Sequence, residues 1–300
     1  DNKDEFRRVV VLDNPKKTLP SGWNVALREY KGDAIIKVDA HAVIPEDFVS
    51  KNVRVLETGE YICGGQRPNI IDKPTPFKET LLLAESSMFG SSIASYRNNP
   101  GKTYVKSLFH AAYRREVFEK VGFFNEELVR TEDNEIHYRM RKAGYKLCFD
   151  PDIISYQYTR SSLKAMLKQK YANGYWIGKT SKVCPKCLSI YHFVPFTFVS
   201  AIIASGSVIG ATGLAECIKK RHNHTLGKGI SALRKVTVVL TTVMWVLYAL
   251  MASGMAAVSA FKAEDKRNIT NACLPVLFLL LHLSYGIGTI AGLMDKLKRG

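Results

Sequence analysis

Three stretches with almost no charge, residues 188–215, 236–261 and 271–294, constrain this chain more than any other feature. Each is long enough to cross roughly 30 Å of hydrocarbon as a helix, which takes about 20 residues. The charge follows the same division. Through Thr159 there are 24 Lys/Arg against 23 Asp/Glu, whereas from Arg160 onward there are 19 Lys/Arg against only Glu216, Glu264, Asp265 and Asp295. A basic, acid-poor region suits nucleic acid or an anionic membrane surface. Here the cations lie between and beside the apolar stretches, so the partner is a membrane and not nucleic acid.

The first 159 residues read differently. Short apolar runs alternate with helical periodicity, which predicts an α/β layer structure. Strands are expected at 8–12 ("RVVVL"), 34–38, 61–65 and 146–149. Helices are expected at 21–30, with Ser21 placed to cap it, at 45–51, and from Asp133 to Lys142 with Gly144 as its stop. Residues 66–106 form a polar excursion interrupted by an apolar stretch at 80–89. Residues 160–179 place Leu163, Met166, Leu167, Tyr171 and Tyr175 on one helical face and Lys164, Lys168 and Lys170 elsewhere, the pattern of a basic interfacial helix. The N-terminal "DNKDEFRRVVVLDN" has no apolar run of leader-peptide length. Cys184-Pro-Lys-Cys187 has zinc or redox spacing, but no second ligand pair accompanies it, so two reduced thiols are expected.

Two acidic clusters carry the chemistry. Asp39-Ala40-His41 ends the apolar run Ile35–Ile36–Lys37–Val38, and an Asp at the end of a buried strand sits where α/β sheets place ligands. Asp and His are also donors for Mg²⁺ or Mn²⁺ that leave positions open for phosphate oxygens. Thr131-Glu132-Asp133, with Glu135, opens a helix. A capping threonine with acids in the first turn, stabilised by the helix dipole, accounts for that pattern as well.

The surrounding text favours chemistry. "VGFFNEELVRTEDNEIHYRMRKAGYKLCFDPD" resembles the acceptor-side motif of family 2 glycosyltransferases, which have the GT-A fold. "NPKKTLPSGWNVALREYKGDAIIKVDAHAVIPEDFV" is similar to that family's preceding block, and "AAYRREVFEKVGFF" matches the segment between them. The resemblance covers about residues 7–180. The later "LHLSYGIGTIAGL" resembles the membrane end of the subgroup that builds exopolysaccharides of the succinoglycan type. By this resemblance Asp133 is the base of an inverting transfer and Glu132 assists it. Asp39 and His41 hold Mg²⁺ or Mn²⁺ against the donor diphosphate, and Asn24 belongs to the donor-binding block. The partners implied are a nucleotide sugar, expected to be a UDP-sugar, a polyprenyl-linked glycan acceptor and other polysaccharide-assembly proteins.

The sequence departs from the family twice. Processive synthases carry Gln-x-x-Arg-Trp after the base. Here "QKYANGYW" has Gln169 and Trp176 without the arginine, which argues for adding a single sugar. The family's opening strand, helix and strand have no counterpart ahead of residue 8, so the expected GT-A domain is one without its first strands. A non-catalytic, membrane-anchored binding or scaffold subunit is the alternative that this absence supports. The organisation expected is a GT-A domain over 1–159, an interfacial helix and linker over 160–187, and a membrane region of two or three helices over 188–300. The catalytic domain is placed on the cytoplasmic side of a multi-pass inner-membrane protein. Three full crossings would then put Lys219, Lys220, Arg221, Lys228, Arg234 and Lys235 outside, against the positive-inside tendency. Pro195 with Gly206, Gly210 and Gly213 offers a re-entrant first segment instead, and two full crossings are expected.

Overall fold

The computed structural model describes residues 8–90, 101–222, 227–263 and 267–295. Residues 91–100 of the polar excursion, and Glu264 and Asp265 of the charge count, lie outside these. The chain forms two compact units. One comprises residues 8–68, 101–157 and 180–188, and the other comprises 69–90, 158–179, 189–222, 227–263 and 267–295. The boundary expected at 159 falls close to one of the divisions. The apolar part of the excursion, however, belongs to the second unit.

The first unit is built on a five-stranded mixed sheet. Its strands are β1 (Ala34–Ile36), β3 (Ile62–Gln66), β5 (Thr103–Val105), β6 (Ala112–Arg114) and β7 (Leu147–Ile154), in the order β1-β6-β3-β7-β5. β3 and β7 run parallel, and the other neighbours are antiparallel. A short β2 (Ala42–Val43) pairs through Ala42 with Gln157 and through Val43 with Tyr156. The two-residue period of β1 sorts its side chains. Ile35 packs with Leu27, Tyr113, Ile136 and Phe149, on the face covered by α1 (Leu19–Glu29), α4 (Arg115–Val121) and α5 (Glu132–Lys142). Ala34, Ile36 and Val38 pack with Phe48, Val55 and Leu56 of α2 (Phe48–Glu57) on the other face. Lys37 and Asp39 therefore follow Ile35 onto the α1/α5 face. Gly65 is required where β3 passes β7, because a Cβ there would lie 2.0 Å from the Ile153 carbonyl oxygen. Gly122, at φ +76°, ends α4 in a conformation that glycine adopts freely.

Several local expectations are corrected. Residues 8–12 are not a strand. Val9, Val10 and Val11 are exposed, and no described strand supplies the ladder that an extended run needs. The cap of α1 is Thr18, one turn earlier than Ser21, since Pro20 in the first turn starts the helix without needing its N–H. Ser21 is buried instead, donating to Asn14 Oδ1 and the Thr18 carbonyl. The helix expected at 45–51 begins later and runs further, as α2.

The second unit contains β4 (Asn69–Ile70), α3 (Pro76–Ser86), α6 (Leu163–Val183) as far as Lys179, α7 (Val194–Arg221), α8 (Lys228–Lys262) and α9 (Leu274–Met294). Leu81, Leu83, Ala84, Met166, Ala252, Leu277, Phe278 and Leu281 form its core. Ile190–Arg221, Lys228–Lys262 and Ile269–Met294 are long and apolar enough to cross a membrane. The re-entrant first segment is not what forms. α7 is one unbroken helix of 28 residues, with Pro195 in its first turn, where it is tolerated. Gly206 and Gly210 lie within it facing open space. Lys170, set off the apolar face of α6 by the sequence, is buried 3.8 Å from Glu85 of α3, whose other oxygen accepts from Thr159.

Candidate active site

β1 ends at Ile36, and the chain stays extended through Lys37 and Val38, with Lys37 N–H donating to the Ala111 carbonyl. A turn closed by Ala42 N–H on the Asp39 carbonyl then leads into β2. Asp39 lies inside this corner, and its carboxylate Oδ2 stands 3.6 Å from His110 Nε2. His110 is buried at φ +39°, in the left-handed region that a histidine keeps only when its surroundings impose it. Its Nδ1 is 2.8 Å from Ser155 Oγ. Burial alone would raise the Asp39 carboxyl, but His110 and Lys37 hold it below the usual carboxylate range. His41 is exposed, and its Nε2 accepts from the Gln157 amide at 2.8 Å.

The second cluster comes from the start of α5. Lys37, buried on the same side of the strand as Asp39, brings its ammonium 2.6 Å from Asp133 Oδ1 and 3.6 Å from Glu132 Oε1. Burial opposes the lysine's charge, yet the two acids hold its pKa above the ordinary value. Burial and the charge of Asp133 push Glu132 up to about 8, against the pull of Lys37. At neutral pH the cluster thus contains a protonated Glu132 and a charged Lys37, whose nearest carboxyl oxygen is that of Asp133. Thr131 does not cap α5 with its side chain. Its hydroxyl bonds that of Thr180, and both are buried. The first-turn acids remain favoured by the unpaired N–H groups of the helix start. Glu135 pairs with Arg139, which also donates to the Val121 and Phe123 carbonyls and so fixes the corner leading into α5.

Lys37 therefore joins the strand-end Asp39 and the helix-start pair Glu132–Asp133 at one place. Asn24 is engaged elsewhere. Its amide donates to the Phe124 carbonyl and to Glu126, and its carbonyl accepts from Phe124 N–H, each at 2.9 Å, tying α1 to the 124–126 turn. Two residues of the site are not singled out by the sequence, Lys37 and His110. The first has a readable signal: in "AIIKVDA" the period of two puts Lys37 on the face of Asp39, and a lysine in an apolar strand needs a buried partner. His110 has none, since its proximity to Asp39 depends on β6 pairing with β1. A cleft of about 470 Å³ in this unit, lined by Leu27, Tyr30, Arg115 and Phe118 among others, contains neither Asp39 nor Glu132 nor Asp133.

A divalent cation suits this corner chemically. Asp39 Oδ1 and His110 Nε2 are buried polar atoms without a hydrogen-bond partner among the described residues. Carboxylate and imidazole are donors for Mn²⁺, and carboxylate for Mg²⁺. Among the described residues no three His, Cys, Asp or Glu side chains converge on one point, so further ligands would have to be substrate oxygens or water. Cys184 and Cys187 are free thiols, with Cys187 Sγ donating to the Cys184 carbonyl.

Fold and site together define an α/β domain with carboxylates gathered at a strand end, joined to helices fit to span a membrane. The chain belongs to glycosyl transferase family group 2, whose family model matches residues 34–289. It is similar to the succinoglycan biosynthesis protein ExoA of Rhizobium meliloti, 29% identical over 57% of this chain and 52% of that protein. It is also similar to the dolichyl N-acetyl-alpha-D-glucosaminyl phosphate 3-beta-D-2,3-diacetamido-2,3-dideoxy-beta-D-glucuronosyltransferase of Methanococcus voltae, 23% identical over 67% of this chain and 64% of that one. A third relative is the O-antigen chain rhamnosyltransferase RfbN of Salmonella typhimurium, 26% identical over 52% of each chain. The chain spans between about half and two thirds of these relatives' lengths. The family expected from the sequence is thus the one found.

Proposed function

We propose that the protein transfers a single sugar, with inversion, from a nucleotide-sugar donor such as a UDP-sugar to a polyprenyl-linked glycan at the cytoplasmic face of the cell membrane. The observation that carries this reading is the Asp133 carboxyl, held 2.6 Å from Lys37 beside the Asp39 corner. Asp133 Oδ1 faces the lysine, and no protein hydrogen bond among the described residues engages Oδ2. Oδ2 accepts the proton of the acceptor hydroxyl as that oxygen bonds the sugar's anomeric carbon, and the electron pair of the breaking C–O bond leaves with the diphosphate. Asp39 and His41 would hold Mg²⁺ or Mn²⁺, with His110 bordering the same carboxylate. Such a cation supplies charge for the departing diphosphate. Protonated Glu132 adds no negative charge next to the base and keeps the cluster closer to neutral.

The test uses membranes carrying the protein, a panel of nucleotide sugars and extracted lipid acceptors. Asp133→Asn keeps size and helix start, and transfer should fall at least about a hundredfold with donor binding retained. EDTA should abolish turnover and Mn²⁺ restore it. Near-normal turnover of Asp133→Asn excludes the base, and full activity in EDTA excludes the cation.

A further inference from the structure

Lys37 is the residue of this site whose presence the transfer chemistry does not by itself demand. It is 6% exposed on the extended segment that continues β1, between Ile36 and Val38. Its ammonium lies among three rings, 5.6 Å from Trp23, 5.7 Å from Phe124 and 6.0 Å from Phe109. A charge is kept in such surroundings only when it is paired, and pairing seldom stabilises more than an apolar side chain of similar size would. Neutralising buried acid is a poor account of it. The more buried acid is Glu132, yet the ammonium sits 3.6 Å from that carboxyl and 2.6 Å from Asp133, the more exposed of the two.

We propose that Lys37 is a positioning residue for the transfer step. It grips Oδ1 of Asp133 so that Oδ2 meets the acceptor hydroxyl, and it ties that carboxylate to the strand that carries Asp39. The proposal rests on the reading of Asp133 as the base. A side chain at the start of a helix has several rotamers open to it. A short charge-assisted bond from a lysine fixed between rings selects one of them. Because Lys37 and Asp39 are two residues apart on one extended segment, the base and the donor-side carboxylate share a frame. A misplacement of the base by about 1 Å would cost up to roughly a hundredfold in rate. Lys37 itself exchanges no proton with either substrate.

The experiment compares Lys37→Met, Lys37→Arg, Asp133→Asn and the double variant Lys37→Met/Asp133→Asn. All are assayed in membranes with whichever of UDP-glucose, UDP-galactose and UDP-N-acetylglucosamine the unaltered protein turns over with extracted lipid acceptor. Lys37→Met should lower kcat by about tenfold to a hundredfold with donor KM within about twofold, and Lys37→Arg should recover most of it. On the Asp133→Asn background Lys37→Met should cause no further loss, because a residue acting through Asp133 has nothing left to position. An equal loss on both backgrounds, or a rise in donor KM at unchanged kcat, overturns the proposal. Retained turnover of Asp133→Asn overturns the base reading instead, and absence of turnover with every donor counts against the proposed function. Should Lys37→Met fail to fold, with two acids left unpaired, Lys37→Met/Glu132→Gln is compared with Glu132→Gln alone. The same fall in kcat supports the proposal, and equal kcat of the two overturns it.

Discussion

Glu132 and His137 lie on the same helix and titrate in opposite senses. The Glu132 carboxyl is pushed up to about 8 by burial and by Asp133. The folded protein thus keeps a proton that the unfolded chain releases above its ordinary value of 4.5. That stability is complete below 4.5 and is lost as pH rises through about 8. His137, buried between the Tyr113 hydroxyl at 2.8 Å and Ser107 Oγ at 3.0 Å, is lowered by burial to about 4. Its contribution is present above 6.5 and is lost as pH falls towards about 4. Melting curves of the purified protein should show both limbs. Glu132→Gln mimics the protonated form, so it should raise the melting temperature at pH 8.5 by several degrees and leave it unchanged at pH 4. Each tenfold change in proton affinity between the folded and unfolded chain is worth about 1.4 kcal/mol, enough to move the midpoint by that much. A gain at pH 4 equal to that at pH 8.5 would mean that burial of charge is not the cause. The acids themselves are legible in the sequence because a helix start and a strand end advertise themselves locally. Their protonation is not legible, because it depends on Lys37, some 96 positions away along the chain from Asp133.

At the scale of elements, α6 and α9 explain why periodicity alone describes a helix incompletely. In residues 163–183 the apolar face is marked by Leu163, Met166 and Leu167, and those three do pack in the second unit's core. A different feature sets how closely the helices approach. Gly174 and Gly178 on α6 lie against the backbone of Tyr285 and Thr289 on α9, and Gly288 and Gly292 on α9 lie against that of Tyr171 and Tyr175 on α6, so the backbones approach closely. A Cβ at Gly288 would lie 2.1 Å from the Tyr171 carbonyl oxygen, and one at Gly292 would lie 2.0 Å from that of Tyr175. Backbone cannot move aside cheaply, so Gly288→Ala should lower stability by about 1–3 kcal/mol. Gly206→Ala, in open space on α7, should be neutral or raise stability by up to about 1 kcal/mol. Thermal melts in detergent distinguish them, and equal melting temperatures would refute the close crossing. The allegiance of α3 is illegible for a plainer reason. Nothing near residue 80 indicates that Thr80 Oγ1 will bond Asn271 Oδ1 at 2.7 Å, 191 positions on. Of the first unit's strands, β1, β3 and β7 are legible as local apolar runs, whereas β2, β5 and β6 are not, and at 8–12 the local pattern lacks a partner.

For the molecule as a whole, the open question is which ends of its long helices share a membrane face. α8 has 35 residues and α7 has 28, about 52 and 42 Å as helices, so each exceeds roughly 30 Å of hydrocarbon and must present its ends on opposite sides if it crosses. α3 is only 11 residues, about 16 Å, and does not cross. It docks on the turn before α9, where Thr80 meets Asn271 and lies 2.6 Å from the Thr270 hydroxyl. The turn is expected on the cytoplasmic side, because α3 follows the first unit after only a few residues of chain and the proposed nucleotide-sugar donor is cytoplasmic. Cys273, beside the turn, should face the cytoplasm, and Cys217, near the far end of α7, should face outward. Lys219, Lys220, Arg221 and Lys228 would then lie outside, against the positive-inside tendency. Arg234, on the same side, pairs with Glu216 and so adds nothing to that charge. The tendency biases insertion, whereas an unbroken helix fixes the separation of its ends, so the helix should prevail. Single-cysteine versions treated in intact cells with a membrane-impermeant maleimide decide the matter. Cys217 should label at once and Cys273 only after permeabilisation. Labelling of both from outside, or of Cys273 alone, would show that α8 does not cross in this sense and that the three-helix arrangement is wrong.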